Sequence, residues 1–124
     1  MSEIGEIRDA LVGALGAVPG LNGVTRMTNV IPPAAIVEFA GAEYHDASMA
    51  EPLYRFAVTV LVGTGDLAAS QDQLDAYVSR DGVRAALEDA ELGDATVLSA
   101  GPYRRLEEGG SAYLGSTLTV IVRP

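Results

Sequence analysis

Apolar residues recur near the start of the chain at Ile4, Ile7, Leu11, Leu15 and Val18, in steps of three and four, with Glu6, Arg8 and Asp9 between them. That spacing predicts an amphipathic helix with one stripe turned toward a core, ended by Pro19-Gly20. The pattern then changes. VTRMTNVIPPAAIVEFA holds two short runs rich in β-branched residues, predicting strands near 24–30 and 34–40. Pro32-Pro33 parts them, because a proline pair cannot donate to a strand ladder. GAEYHDASMAEP, residues 41–52, has no period and reads as an unusually long surface loop.

In LYRFAVTVLV the alternation is clean: Tyr54, Phe56, Val58, Val60 and Val62 fall on one face, and Arg55 and Thr59 on the other. This predicts a strand covered on one side. Leu67, Leu74, Tyr77 and Val78 share a helical face, and Ser70 with Gln73 has the spacing of a capping box. After Asp81-Gly82, the residues Val83, Ala86, Leu87 and Ala90 repeat the helical pattern. The last third reads as a hairpin: a run from Ala95 to Leu106, a turn from Glu107 to Gly110 and a return from Ala112 to Val122.

The predicted order is therefore α-β-β-β-α-α-β-β. Clustered strands around a helical insert give an α+β class, a mostly antiparallel β-sheet with helices packed on one face. A length of 124 residues, 48% of them hydrophobic and 20% charged, suits a single folded domain over 1–124.

Charge narrows the partners. Eight Lys and Arg against 17 Asp and Glu leave a formal charge of -9, which opposes a sequence-independent grip on phosphate backbones. Cysteine is absent, so disulfides, thiolate ligands and thiol nucleophiles are excluded. Glu3, Glu6, Arg8 and Asp9 interrupt the N-terminal apolar residues, which does not suit a secretory signal. No apolar run approaches the roughly 18 residues of a membrane span, so a soluble protein without a membrane partner is expected.

Four sequence features bear on chemistry. Gly63-Thr64-Gly65-Asp66-Leu67-Ala68 matches the dinucleotide fingerprint G-x-G-x-x-A. Yet Asp66 puts a carboxylate where a pyrophosphate would lie, residues 84–90 read as helix rather than the end of a second strand, and no second βαβ unit follows. No lysine follows the loop either, as a Walker-type phosphate loop requires. The preferred reading is a strand-to-helix turn, with Asp66 or Ser70 capping the helix. His45 is the only histidine, next to Asp46 and near Glu43. One histidine without cysteine argues against a transition-metal site, acid-rich Ca or Mg binding is left open, and a solvated loop residue is the simpler account.

No serine lies in a G-x-S-x-G elbow, and any triad would need the same His45, so no catalytic residue, metal or cofactor is assigned and the chain is not expected to be an enzyme. Tyr103-Arg104-Arg105, with Tyr113 on the facing strand, has the look of an aromatic and basic nucleic-acid surface. Glu107 and Glu108 follow at once, which favours a protein contact or cross-strand pairing within the hairpin.

The order of elements, together with PGL (19–21), PPAAIVEF (32–39), YRFAVTVLVG (54–63), QDQLDAY (71–77), VRAALE (83–88) and EEGGSAYLGSTLTVIV (107–122), resembles the tail terminator (tail-completion) proteins of long-tailed bacteriophages. The resemblance spans nearly the whole chain and rests on no catalytic signature. It implies a non-enzymatic virion protein at the head-proximal end of the tail, assembled in the host cytoplasm. Such subunits form a homo-oligomeric ring, commonly a hexamer, on the last ring of tail tube protein. The ring ends tube polymerisation and offers a surface to the head-tail connector protein, and DNA passes through its lumen without specific binding.

A closed ring of one chain needs two different faces per subunit, and the proline-marked strand near 31–40, the loop 41–52 and the hairpin tip 106–112 are the candidates. The expected contacts are Tyr44, His45, Asp46 and Met49 in the 41–52 loop, and Arg104, Arg105, Glu107 and Glu108 in the hairpin. Other readings are a head-closure or neck connector protein of the same kind of virion, and a small cytosolic ligand-binding domain.

Overall fold

The computed structural model describes residues 3–24, 31–44, 52–79, 81–89, 94–108 and 110–123. The elements run α1 (Glu3–Leu15), β1 (Asn22–Val24), β2 (Ala34–Glu43), β3 (Leu53–Gly63), α2 (Leu67–Val78), α3 (Val83–Glu88), β4 (Asp94–Ala100), β5 (Arg104–Glu108) and β6 (Ser111–Arg123). The fold is α+β, as the hydrophobic pattern predicts. The strands form one sheet in the order β1-β2-β3-β6-β4, with β5 also paired to β6. All pairings are antiparallel except β1 with β2.

The alternation in β3 becomes the centre of the core. Phe56, Val58, Val60 and Val62 are fully buried on the helix-covered face, with Tyr54 almost so. They share one cluster with Ile7, Leu11 and Leu15 of α1, Leu74 and Tyr77 of α2, and Val83 and Leu87 of α3. Covering that face removes the branched side chains from water, at roughly 1.5–3 kcal/mol for each large one. The register draws a continuous row across the sheet, Phe39 opposite Phe56, Phe56 opposite Val120 and Val120 opposite Val97.

Several boundaries differ from the expectation. Strand β2 continues to Glu43, so the first residues of the predicted 41–52 loop are sheet. A bulge between Phe39 and Gly41 admits the extra residue, and Gly41 takes a φ of 145°, open to glycine without a Cβ penalty. Residues 45–51 of that loop lie outside the described residues. So do 25–30, which hold most of the first predicted strand, while Asn22–Val24 form β1. The first helix ends at Leu15, ahead of Pro19-Gly20, and the chain continues through hydrogen-bonded turns that still bury Val18.

The predicted run 95–106 is one pass along β6 broken in two. Pro102 has no N–H to offer the ladder. At the break the Gly101 N–H donates to the Thr117 carbonyl at 2.8 Å, and the Ser116 hydroxyl donates to the Gly101 carbonyl at 2.8 Å. Strand β5 then extends to Glu108, so Glu107 and Glu108 belong to the sheet and not to the turn. Gly110 follows with a φ of 83°.

Candidate functional site

The glycine-rich stretch is a turn. The Ala69 N–H donates to the Asp66 carboxylate at 3.2 Å, and Asp66 is the N-cap of α2. That carboxylate occupies a donor a phosphate would need and repels the charge it would bring. Ser70 does not begin the helix as the capping-box spacing suggests; it is buried in the first turns, and its hydroxyl donates to the Gly63 carbonyl. Leu67, placed on the buried helical face by the sequence, is 59% exposed, because the helix meets the sheet only from Ser70 onward.

The hydroxyls of Ser70, Ser79 and Ser116 each donate to a backbone carbonyl, of Gly63, Ala76 and Gly101 respectively, which commits them to local structure. Among the described residues no three His, Cys, Asp or Glu gather where they could share a metal ion. None of the described helices is long and apolar enough to cross a membrane.

What the fold does build is a sheet with two unlike faces and two outer edges. The face opposite the helices carries Thr59 and Thr117, whose hydroxyls are 3.0 Å apart, and an exposed Arg55–Glu43 ion pair at 2.9 Å. At one end that face becomes apolar, where Ile36, Leu61 and Tyr113 are buried together with Leu106 against them. Gly115 sits among these side chains: a Cβ there would lie 2.7 Å from Leu61 Cδ2, so a larger residue would have to push Leu61 aside. Beside it the break at Pro102 leaves a hollow of about 270 Å³ lined by Gly101, Pro102, Arg104, Leu106, Gly115 and Thr117.

The residues expected to make contacts divide between the two edges. Tyr44 follows the end of β2 and is 72% exposed. His45, Asp46 and Met49 lie outside the described residues. Arg104, Arg105 and Glu107 are exposed on β5, and Glu108 pairs in register with Ser111. Arg105 approaches Glu107 at 3.6 Å, an exposed pair worth at most about 1 kcal/mol. The fold thus brings Arg105 to Glu107 but sets Tyr44 and the arginines on opposite sides of the sheet, with β3 and β6 between them.

Two tyrosines tie the layers together without any sequence signal for it. Tyr103 does not join Tyr113 on an aromatic surface: Tyr113 faces Leu106, and the Tyr103 hydroxyl donates to Asp75 of α2 at 2.5 Å. Partial burial, and then the bond to that carboxylate, push the Tyr103 hydroxyl up to about 12. The Tyr54 hydroxyl donates to Glu3 of α1 at 2.9 Å, and that bond is the main reason its pKa is raised. Both contacts join residues far apart in sequence, so helix and strand periodicities are blind to them. The same holds for the exposed apolar residues Phe39 and Leu98 at the sheet edges. Alternation alone would place Phe39 in the core.

No family model matches the chain, and no curated protein matches it. Among solved structures it is similar to a chain of the virion of a native gene transfer agent particle, with 16% identity over 92% of this chain and 84% of that one, and a TM-score of 0.46.

Proposed function

We propose that the chain is a structural virion protein of the tail terminator kind, a non-enzymatic subunit that closes into a ring on the tail tube, ends its growth and offers a surface to the head. The observation that carries this reading is the placement of the expected contacts on opposite sides of one sheet: Tyr44 beyond β2, and Arg104 and Arg105 on β5. A ring of identical subunits requires such a pair of different faces, because each copy must present one to each neighbour. The whole of residues 1–124 acts as one such unit. The order of elements supports the reading, since the stretches that resemble tail terminators fall on β2, β3, α2, α3 and the β5–β6 hairpin.

Charge reversal at both arginines, Arg104→Glu with Arg105→Glu, tests it. Both side chains are exposed, so the monomer should keep its melting temperature within a few degrees, as surface changes of about 0.5 kcal/mol do. Tail completion, scored by electron microscopy of tube length and head attachment, should fail. Tails of normal length joined to heads would remove the hairpin from the contact surface.

A further inference from the structure

Strands β2 and β4 flank the central β3–β6 pair, with β1 outside β2 only at Ala34–Ile36 among the described residues, and the register sets β2 and β4 at the same height. Val37 to Glu43 lie across from residues 53–58 of β3, and Asp94 to Ala100 lie across from residues 118–123 of β6, which pair with that same part of β3. Through β3 and β6, the two flanking strands run in opposite directions. Each carries one exposed large apolar side chain. On β2 it is Phe39, 37% exposed, and on β4 it is Leu98, 52% exposed.

They stand at the two ends of a single row. Phe39 begins the row that runs through Phe56 and Val120 to Val97, and Leu98 is the bulged residue next to Val97. Phe39 is also held in place, its ring edge-to-face with Phe56 at 5.6 Å and with Tyr54 at 6.4 Å between centroids. A backed aromatic side chain loses little freedom on contact, which is the character of an interface anchor. Leu98 sits in a bulge, where it is turned out of the regular alternation.

From this geometry we infer that Phe39 of one copy packs against Leu98 of the next, forming the apolar centre of a head-to-tail contact between copies of this chain. The inference rests on the ring reading above and names the residues at its seam. Copies repeated side by side with their helices on the same side bring these two residues together without sliding along the strands. The contact is made through side chains rather than by extending the ladder along its full length: the Val97 N–H already donates to the Glu88 carboxylate at 3.0 Å, so α3 closes part of the β4 edge.

The cysteine-free chain allows a direct test. The double variant Phe39→Cys with Leu98→Cys is oxidised in the full chain, beside each single variant and alongside wild type. The expected result is a ladder on non-reducing gels that climbs past the dimer and collapses on reduction. Each single variant should stop at the dimer, since it offers one thiol per copy. Phe39→Cys gives up the ring contacts with Phe56 and Tyr54 and should lower the melting temperature, so a transition that stays cooperative before oxidation is the check that the fold is kept.

A double variant with no species above the dimer overturns the inference, as does a single Phe39→Cys variant that dimerises as efficiently as the double one. Native mass of the wild type, alone and with tail tube protein, separates the two failures. Assemblies of more than two copies without a ladder overturn this seam and leave the ring reading standing. Neither ladder nor assembly overturns both.

Discussion

The two faces of the sheet are built from the same strands and share almost nothing else. On the helix side, Phe56, Val58, Val60 and Val62 are sealed from water by three helices. On the other, the intervening residues Arg55, Ala57 and Thr59 face Ile121, Thr119 and Thr117 across β6. Charge follows the same division. Glu3, Glu6 and Asp9 lie on α1, Asp72 and Asp75 on α2 and Glu88 on α3, so the helix layer carries much of the excess acid. The contrast teaches that stability and surface chemistry are assigned to opposite sides of one strand, residue by residue, and can be altered separately.

That separation can be broken most forcefully at Phe56. Replacing it with alanine leaves a cavity at the centre of the covered face, and the loss of stability in a denaturant titration should be about 3–5 kcal/mol. A loss under about 1 kcal/mol would mean that the helix side is not the core it resembles.

Tyr103→Phe probes the seam between the layers. It removes the bond to Asp75 and should cost at most about 1 kcal/mol, because Tyr103 is 36% exposed and water competes for both groups. Its pH signature is more specific. The folded state holds this proton more tightly than the unfolded chain, since the hydroxyl is raised from 10.0 to about 12. The contribution is full below pH 10 and is lost as the pH rises through about 12. Melting temperatures of wild type and variant should therefore differ by a constant amount below pH 10 and converge above it.

Thr59→Ala gives the smallest effect. It deletes one hydroxyl of the Thr59–Thr117 pair on the uncovered face, where water replaces the partner, and should stay within about 0.5 kcal/mol by the same titration. A much larger cost would show that this face is packed in the native state.

Much of this arrangement is legible in the chain itself. The stripe of Ile7, Leu11 and Leu15 and the alternation from Tyr54 to Val62 encode which sides are buried, because burial is what those periods record. The limits appear where a residue acts through its backbone or through distant neighbours. Gly41 lets β2 continue past a bulge, so a stretch without period still pairs as sheet. Asp66 takes the cap from Ser70 because the helix begins earlier than its apolar face.

The parallel pairing of β1 with β2 has no local signal at all, since parallel and antiparallel neighbours impose the same alternation along a strand. For the contact residues, the sequence distinguishes an exposed tyrosine or arginine by type, as at Tyr44 and Arg104. It cannot say that Phe39 and Leu98 end one row, because that is a property of the register.

The interruption at Gly101-Pro102-Tyr103 has a further consequence for the chain on its own. It divides the outer side of the hairpin into a run of seven residues and a run of five, the longer one bulged at Leu98 and partly closed by Glu88. A stray extended peptide finds no long, flat template there on which to zip. The proline thus shortens the run of edge backbone open to pairing, and a long flat edge is what cross-β stacking requires.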